Sequence, residues 1–194
     1  MLCQLAIAAS NGVTRFPGGA EVGMENIAID ECGSGKKKNM DMHCVSVNVR
    51  SLDDYMATKI LGGDGEHAGA GLRAQIDMLQ IDAEGFDAEV LAGGTAALTA
   101  TRYLEFEFHG VGKWITTPLE PIIAKLDALG FDCYWAGRGQ LWRITGCFVP
   151  SFEFHFWANV ACVKRSDHWH AVMERYAALP DDKEDRGRRR RETM

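Results

Sequence analysis

Two short segments of this sequence concentrate side chains capable of chemistry. In Ile81-Asp82-Ala83-Glu84-Gly85, two carboxylates follow an apolar run and precede a glycine that admits close backbone approach. Carboxylates placed this way can ligate a metal, act as a general base or hold a cationic ligand. Equally, they can cap the helix that follows and favour its positive end. In Glu105-Phe106-Glu107-Phe108-His109, strand alternation puts Tyr103, Glu105, Glu107 and His109 on one face. Burying the two glutamates without partners is costly, so that face is either wet, as on an edge strand, or a site. His109 ends the strand and, with an ordinary imidazole pKa of about 6.5, is the natural base.

The other histidines carry less. His168 and His170 flank Trp169 on an expected surface helix, His155 sits in Phe-Glu-Phe-His-Phe-Trp, and His43 and His67 fall in loops. No His-Glu-x-x-His, paired-cysteine motif or nucleophile elbow occurs, which leaves zinc-protease, zinc-finger and serine-hydrolase readings unsupported. Trp114, Trp135, Trp142 and Trp157 are expected in the core or a lid rather than on a base-stacking platform.

The elements that must position these residues follow from periodicity. Ile76, Met78, Leu79 and Ile81 make a nearly continuous apolar strand, expected to be covered on both faces. Phe86, Val90 and Leu91 share a helical face that ends at Gly93-Gly94. A second short helical piece, Thr-Ala-Ala-Leu-Thr-Ala, leads into the Glu105–His109 strand. This strand–helix–strand order is a βαβ unit with a parallel pair. Next, Thr117, Pro118 and Glu120 read as a capping box for a helix with a Leu119, Ile122, Ile123, Leu126, Leu129 stripe, closed by Gly130. Phe-Asp-Cys-Tyr-Trp pairs with Arg-Gly-Gln-Leu-Trp-Arg-Ile as a hairpin, and a further strand lies within FWANVACVKR, from Phe156 to Arg165. Ser166 or Asp167 caps a last helix.

Upstream, residues 2–9 read as a strand that turns at Asn11-Gly12 into a hairpin partner. Val45, Val47 and Val49 alternate in another strand, and Ser51 is the expected cap of the helix after it. Residues 17–43 and 62–71 read as solvated loops. The expected organisation is one domain over 1–178 and a disordered charged tail over 179–194.

The 194 residues have a formal net charge of -6, with 46% hydrophobic and 25% charged residues. These are globular values, and the acidic balance argues against a nucleic-acid partner. The six cysteines are expected to be reduced thiols. No apolar run reaches the length of about 20 residues that a membrane span needs. The opening segment lacks the basic start of a signal peptide, so a cytoplasmic location is the default expectation.

The stretch IDMLQIDAEGFDAEVLAGGTAAL, with RYLEFEFHG after it, resembles the FkbM-type family of methyltransferases, which use S-adenosylmethionine. That family shows a strand ending in Lys-Ile-Asp-Val-Glu-Gly, a helix with Glu and Leu before a Gly, and a later strand ending near Glu-x-His. Ile81, Asp82, Glu84, Gly85, Glu89, Leu91 and Gly93 fit the pattern, and Gln80 stands where the Lys is usual. The match covers residues 3–165 and is specific over 76–94. It implies an α/β fold: an incomplete Rossmann-like, mostly parallel sheet with flanking helices and an antiparallel C-terminal hairpin. It also implies S-adenosylmethionine as cofactor, and as partner a hydroxyl acceptor on a sugar, lipid or secondary metabolite. His109 or Glu107 would lie near that acceptor, and Asp82 and Glu84 would face the cofactor's methionine end or the acceptor. The family's Gly-rich cofactor loop would fall upstream of Met1, so the chain is expected to correspond to the C-terminal two-thirds of such an enzyme. Two other classes fit the same residues: a non-catalytic interaction module, and a metal-dependent hydrolase built on these carboxylates and His109.

Overall fold

A computed structural model describes residues 5–17, 44–60 and 75–178. The loops expected after Pro17 and at 62–71, and the charged tail, lie outside these residues. Among the described residues, nine strands form two sheets.

The smaller sheet contains β1 (Ala6–Ala8), β2 (Gly12–Pro17) and β3 (Cys44–Ser51), in the order β1-β3-β2. The expected hairpin between the first two strands is not formed. Instead β3 lies between them, with Val49 opposite Ala6 in parallel pairing and opposite Gly12 in antiparallel pairing. The Asn11 side chain fits this order, its Oδ1 accepting from the Ser51 backbone N–H at 2.8 Å. The connection is thereby drawn over the end of β3 rather than into a tight turn. Ser51 then caps α1 (Leu52–Tyr55) as expected, its Oγ accepting from the Asp54 N–H.

The larger sheet is built from β4 (Ile76–Ile81), β5 (Thr101–Phe108), β6 (Phe131–Gly137), β7 (Gln140–Arg143), β8 (Ala158–Lys164) and β9 (Ala177–Ala178), in the order β4-β5-β8-β6-β7-β9. It is mixed and rich in antiparallel pairs, not mostly parallel. Only β4/β5 and β7/β9 run parallel. The helices α2 (Asp87–Ala92) and α3 (Thr95–Ala100) carry the chain from β4 to β5, and α4 (Leu119–Ala128) carries it from β5 to β6. That second crossover leaves a gap one strand wide, which β8 fills antiparallel to both neighbours. The short Arg138-Gly139 turn makes β7 antiparallel to β6, with Gly139 at φ 73°.

Two points about burial follow from this order, and the first changes an expectation. β4 is an edge strand, and Met78 on its open face is 57% exposed. A continuous apolar run does not distinguish one covered face from two. β5, by contrast, is central rather than an edge. Its Leu104, Phe106 and Phe108 join Cys133, Trp135, Val160 and Cys162 of the neighbouring strands in one core with Leu119, Ile123 and Leu126 of α4.

The expected capping box on α4 is replaced by a distant group. Glu153 accepts from the Leu119 N–H at 2.9 Å and the Glu120 N–H at 3.0 Å, and Pro118 rather than Thr117 takes the cap position. A carboxylate there satisfies orphan donors and favours the helix's positive end. In the core, Cys133 and Cys162 face each other across β6 and β8 and form a disulfide. The expectation of reduced thiols fails for this pair because the strand register brings the two side chains together.

Candidate active site

Parallel β4 and β5 deliver their carboxyl ends to the same rim, the place where open α/β sheets bind ligands. Asp82 and Glu84 follow β4, Glu107 is the penultimate residue of β5, and His109 comes directly after it. All four residues singled out from the sequence therefore share one rim. The capping alternative for the two acids is not realised: the N-cap of α2 is Phe86, and no side chain caps the helix.

Glu84 has φ 49°, the one left-handed non-glycine among the described residues, and Gly85 follows at φ 91°. A strained backbone of this kind costs about 1–3 kcal/mol and persists where its surroundings dictate it. Those surroundings are a backbone-to-backbone contact. A Cβ on Gly85 would stand 2.6 Å from the Val111 carbonyl and 2.9 Å from the Gly112 Cα. The Lys113 N–H donates to the Gly85 carbonyl at 2.9 Å. The loops after β4 and β5 are thus joined, which fixes Glu84 relative to His109. Gly85→Ala is expected to lose about 3 kcal/mol, from left-handed strain plus overpacking against backbone that has little room to yield. Urea unfolding reads this directly, and a loss below about 1 kcal/mol, the size of an ordinary substitution, would mean the loops do not meet as described.

Burial raises the pKa of Glu84, and the carboxylates of Asp82 and Glu107 raise it further. Asp87 is fully buried beneath this turn. One of its oxygens accepts from the Gly85 N–H at 3.3 Å and the other has no partner. Burial pushes its pKa up, against backbone hydrogen bonds that pull it down. Nothing in the sequence sets Asp87 apart from an ordinary first-turn acid.

Along β5 the polar face is wired from strand to strand. The Tyr103 hydroxyl and the Asn159 amide both donate to Glu105, at 2.7 and 2.6 Å, so Glu105 is a structural acceptor. Trp157 Nε1–H donates to Glu107 Oε2 at 3.1 Å, and its indole stacks on the His109 ring with centroids 4.4 Å apart. His109 is fully buried. Its Nδ1 accepts from the Val111 N–H at 3.2 Å, whereas Nε2 has no hydrogen-bond partner and lies 3.8 Å from Glu107 Oε2. A neutral imidazole whose Nδ1 lone pair is occupied carries its proton on Nε2. His109 therefore holds its remaining donor buried, 3.8 Å from the Glu107 acceptor.

Beside the Gly85 turn, a cavity of about 420 Å³ opens between the smaller sheet and α2. Its wall includes Ser10, Asn11, Thr14, Phe86, Glu89 and Lys113.

No family model, curated protein or solved structure matches this chain.

A second charged cluster, unforeseen from the sequence, lies where α5 (His168–Tyr176) packs on the sheet. Asp132 is buried and accepts from His170 at 2.7 Å, and from Arg143 and Arg165 at 2.9 Å each. Burial alone would raise its pKa; hydrogen bonds from His170 and Arg165 and the Arg143 charge hold it below the ordinary value. Glu174 accepts from the Tyr134 hydroxyl and from Arg143. Asp132, His170 and Glu174 are close enough to share a cation. Two guanidiniums already neutralise the two carboxylates, so the cluster is best described as an ion network holding α5. Asp167 caps this helix through the Trp169 N–H, which settles the choice between Ser166 and Asp167. No helix among the described residues is long and apolar enough to cross a membrane.

Proposed function

We propose that this chain is a methyltransferase of the FkbM type, acting on a hydroxyl group with S-adenosylmethionine as methyl donor. The observation that carries the reading is the Glu107–His109 pair. A carboxylate acceptor and an Nε2–H donor stand 3.8 Å apart at the carboxyl end of a central strand, too far to bond each other. A hydroxyl both donates and accepts, so it is matched to this pair, whose Nε2 is closed to solvent in this structure. Glu107 takes the hydroxyl proton as general base. His109 holds the hydroxyl oxygen in line and steadies the negative charge that grows there.

The cavity beside Gly85 fits the cofactor in size and donor set. Its volume lies in the range of small-molecule sites, about 300–1,000 Å³. Glu89 would accept from ribose hydroxyls, Ser10 and Thr14 offer further hydroxyls, and Ala6, Ala8 and Val49 line an apolar side. When bound, the cofactor would supply a methyl group that passes to the acceptor oxygen, the C–S bond breaking and S-adenosylhomocysteine leaving. Asp82 and Glu84 add negative charge at this rim, suited to a cationic ligand.

A thermal melt with S-adenosylhomocysteine tests the reading, because a ligand that binds only the folded chain raises the midpoint. At a hundredfold excess over Kd the expected gain is about 2.7 kcal/mol. A midpoint unmoved by millimolar ligand would overturn it and favour the non-catalytic module.

A further inference from the structure

We infer that α5 docks this protein on an anionic lipid bilayer, a property independent of the methyltransferase reading. Along the helix Trp169, Val172 and Tyr176 recur at i, i+3 and i+7, so they share one side. They are 52%, 38% and 58% exposed. The side turned to the protein is tied down instead: His170 bonds to Asp132, and Glu174 to Tyr134 and Arg143. The ion network thus also fixes which side of α5 faces outward, and that side carries the apolar stripe. Trp and Tyr combine an apolar body with a polar tip, the pairing that settles between headgroups and acyl chains.

The charges near the stripe fit an anionic surface. Two carboxylates close to it in the chain are engaged, Asp167 with Arg102 and Glu174 with Arg143. Arg175 precedes Tyr176. Beyond Ala178 the sequence gathers Arg186 and Arg188–Arg191 into one run, set apart from the acids Asp181, Asp182, Glu184 and Asp185 before it. From Ala178 to Arg188 an extended chain spans up to about 33 Å, enough for the run to meet the same bilayer as the stripe. The net charge of -6 opposes approach to anionic lipid. At physiological salt, however, the screening length is about 8 Å, so the arginines nearest the surface decide the contact. Each basic residue there strengthens binding about fivefold. Other occupants fit less well. A second copy on the stripe would bring two arginine runs together, and duplex DNA would pair with the run but leave Trp169 and Val172 in water. The docked side is also not the candidate active site. Asp167, the cap of α5, bonds to Arg102 near the start of β5, whereas His109 follows the end of that strand.

The test is co-sedimentation with vesicles of phosphatidylcholine and phosphatidylglycerol, against vesicles of phosphatidylcholine alone. The chain is expected to bind the mixed vesicles about tenfold more tightly or better, and to lose that advantage in high salt. Trp169→Ala with Tyr176→Ala is expected to weaken binding about tenfold or more, with circular dichroism unchanged because neither side chain is buried. Trp169→Phe locates the contact. Brominated phosphatidylcholine in the mixed vesicles should quench the parent's tryptophan fluorescence, and most of that quenching should vanish in this variant. Should the double variant unfold, the quenching decides alone. Binding to neither vesicle, equal binding to both, or quenching indifferent to Trp169→Phe overturns the inference. So does binding that follows the arginine run and ignores the stripe, or lipid-free self-association that the double substitution abolishes, which would assign the stripe to a second copy.

Discussion

On the methyltransferase reading proposed above, replacing Glu107 by Gln is expected to slow methyl transfer about a hundredfold to ten-thousandfold, the range for loss of a positioned general base. The substitution is chosen to isolate that role. A Gln side-chain oxygen still accepts from Trp157 Nε1–H, so the indole stays against His109. Glu107 is only part-buried, its side chain 23% exposed, and the change in stability should stay within about 0.5 kcal/mol. The amide, however, has no basic oxygen to receive a proton. The assay is S-adenosylhomocysteine release with a hydroxyl acceptor, with a melt beside it. A rate within threefold of the parent would remove Glu107 as the base. A matched fall in rate and midpoint would mean that the residue supports the fold instead.

Removing the Cys133–Cys162 bridge, by Cys133→Ala with Cys162→Ala, is expected to cost about 3–4 kcal/mol for a loop closed over 29 residues. The bridge lies in the fully buried layer between the sheet and α4, and it ties β6 to β8. Its loss frees the unfolded chain and removes sulfur from a packed core. Guanidinium unfolding in oxidising buffer measures the loss, and repeating it in reductant supplies the control. In reductant the parent and the variant should converge. A variant as stable as the oxidised parent would show that the pair contributes nothing as a disulfide.

Periodic elements were legible in the sequence because their information is local. The α4 stripe, the alternation in β5, the Ser51 cap and the Arg138-Gly139 turn each lie within a few residues of their signal. What escaped depends on partners far along the chain. Glu153 caps α4 from 34 residues away, and Asn11 reaches Ser51 from 40 residues away. No local pattern announces either contact. The same holds for sheet order, since nothing near residues 76–81 says that one face of that strand stays open. At the rim, Asp82, Glu84, Glu107 and His109 stood out by type and by their place at strand ends. The proton on His109 did not, because it is fixed by the direction of the Val111 N–H. Trp157, expected in the core or a lid, joins the rim only through the β5/β8 register. Asp132 was hidden as one polar residue in an apolar strand whose partners arrive from β7, α5 and the turn after β8.

The central place of β8 also sets a timetable for synthesis. β5 and β6 leave the ribosome well before the strand that must lie between them, since pairing reaches to Lys164. At translation speeds of about 5–20 residues per second, the nascent chain waits seconds with two inner strand edges unsatisfied. During that interval Phe106, Phe108 and Trp135 have no completed sheet to hide in, and exposed edges invite pairing with other chains. The interval closes only when β8 slots in, so the middle of the sheet stays open to aggregation until late in synthesis.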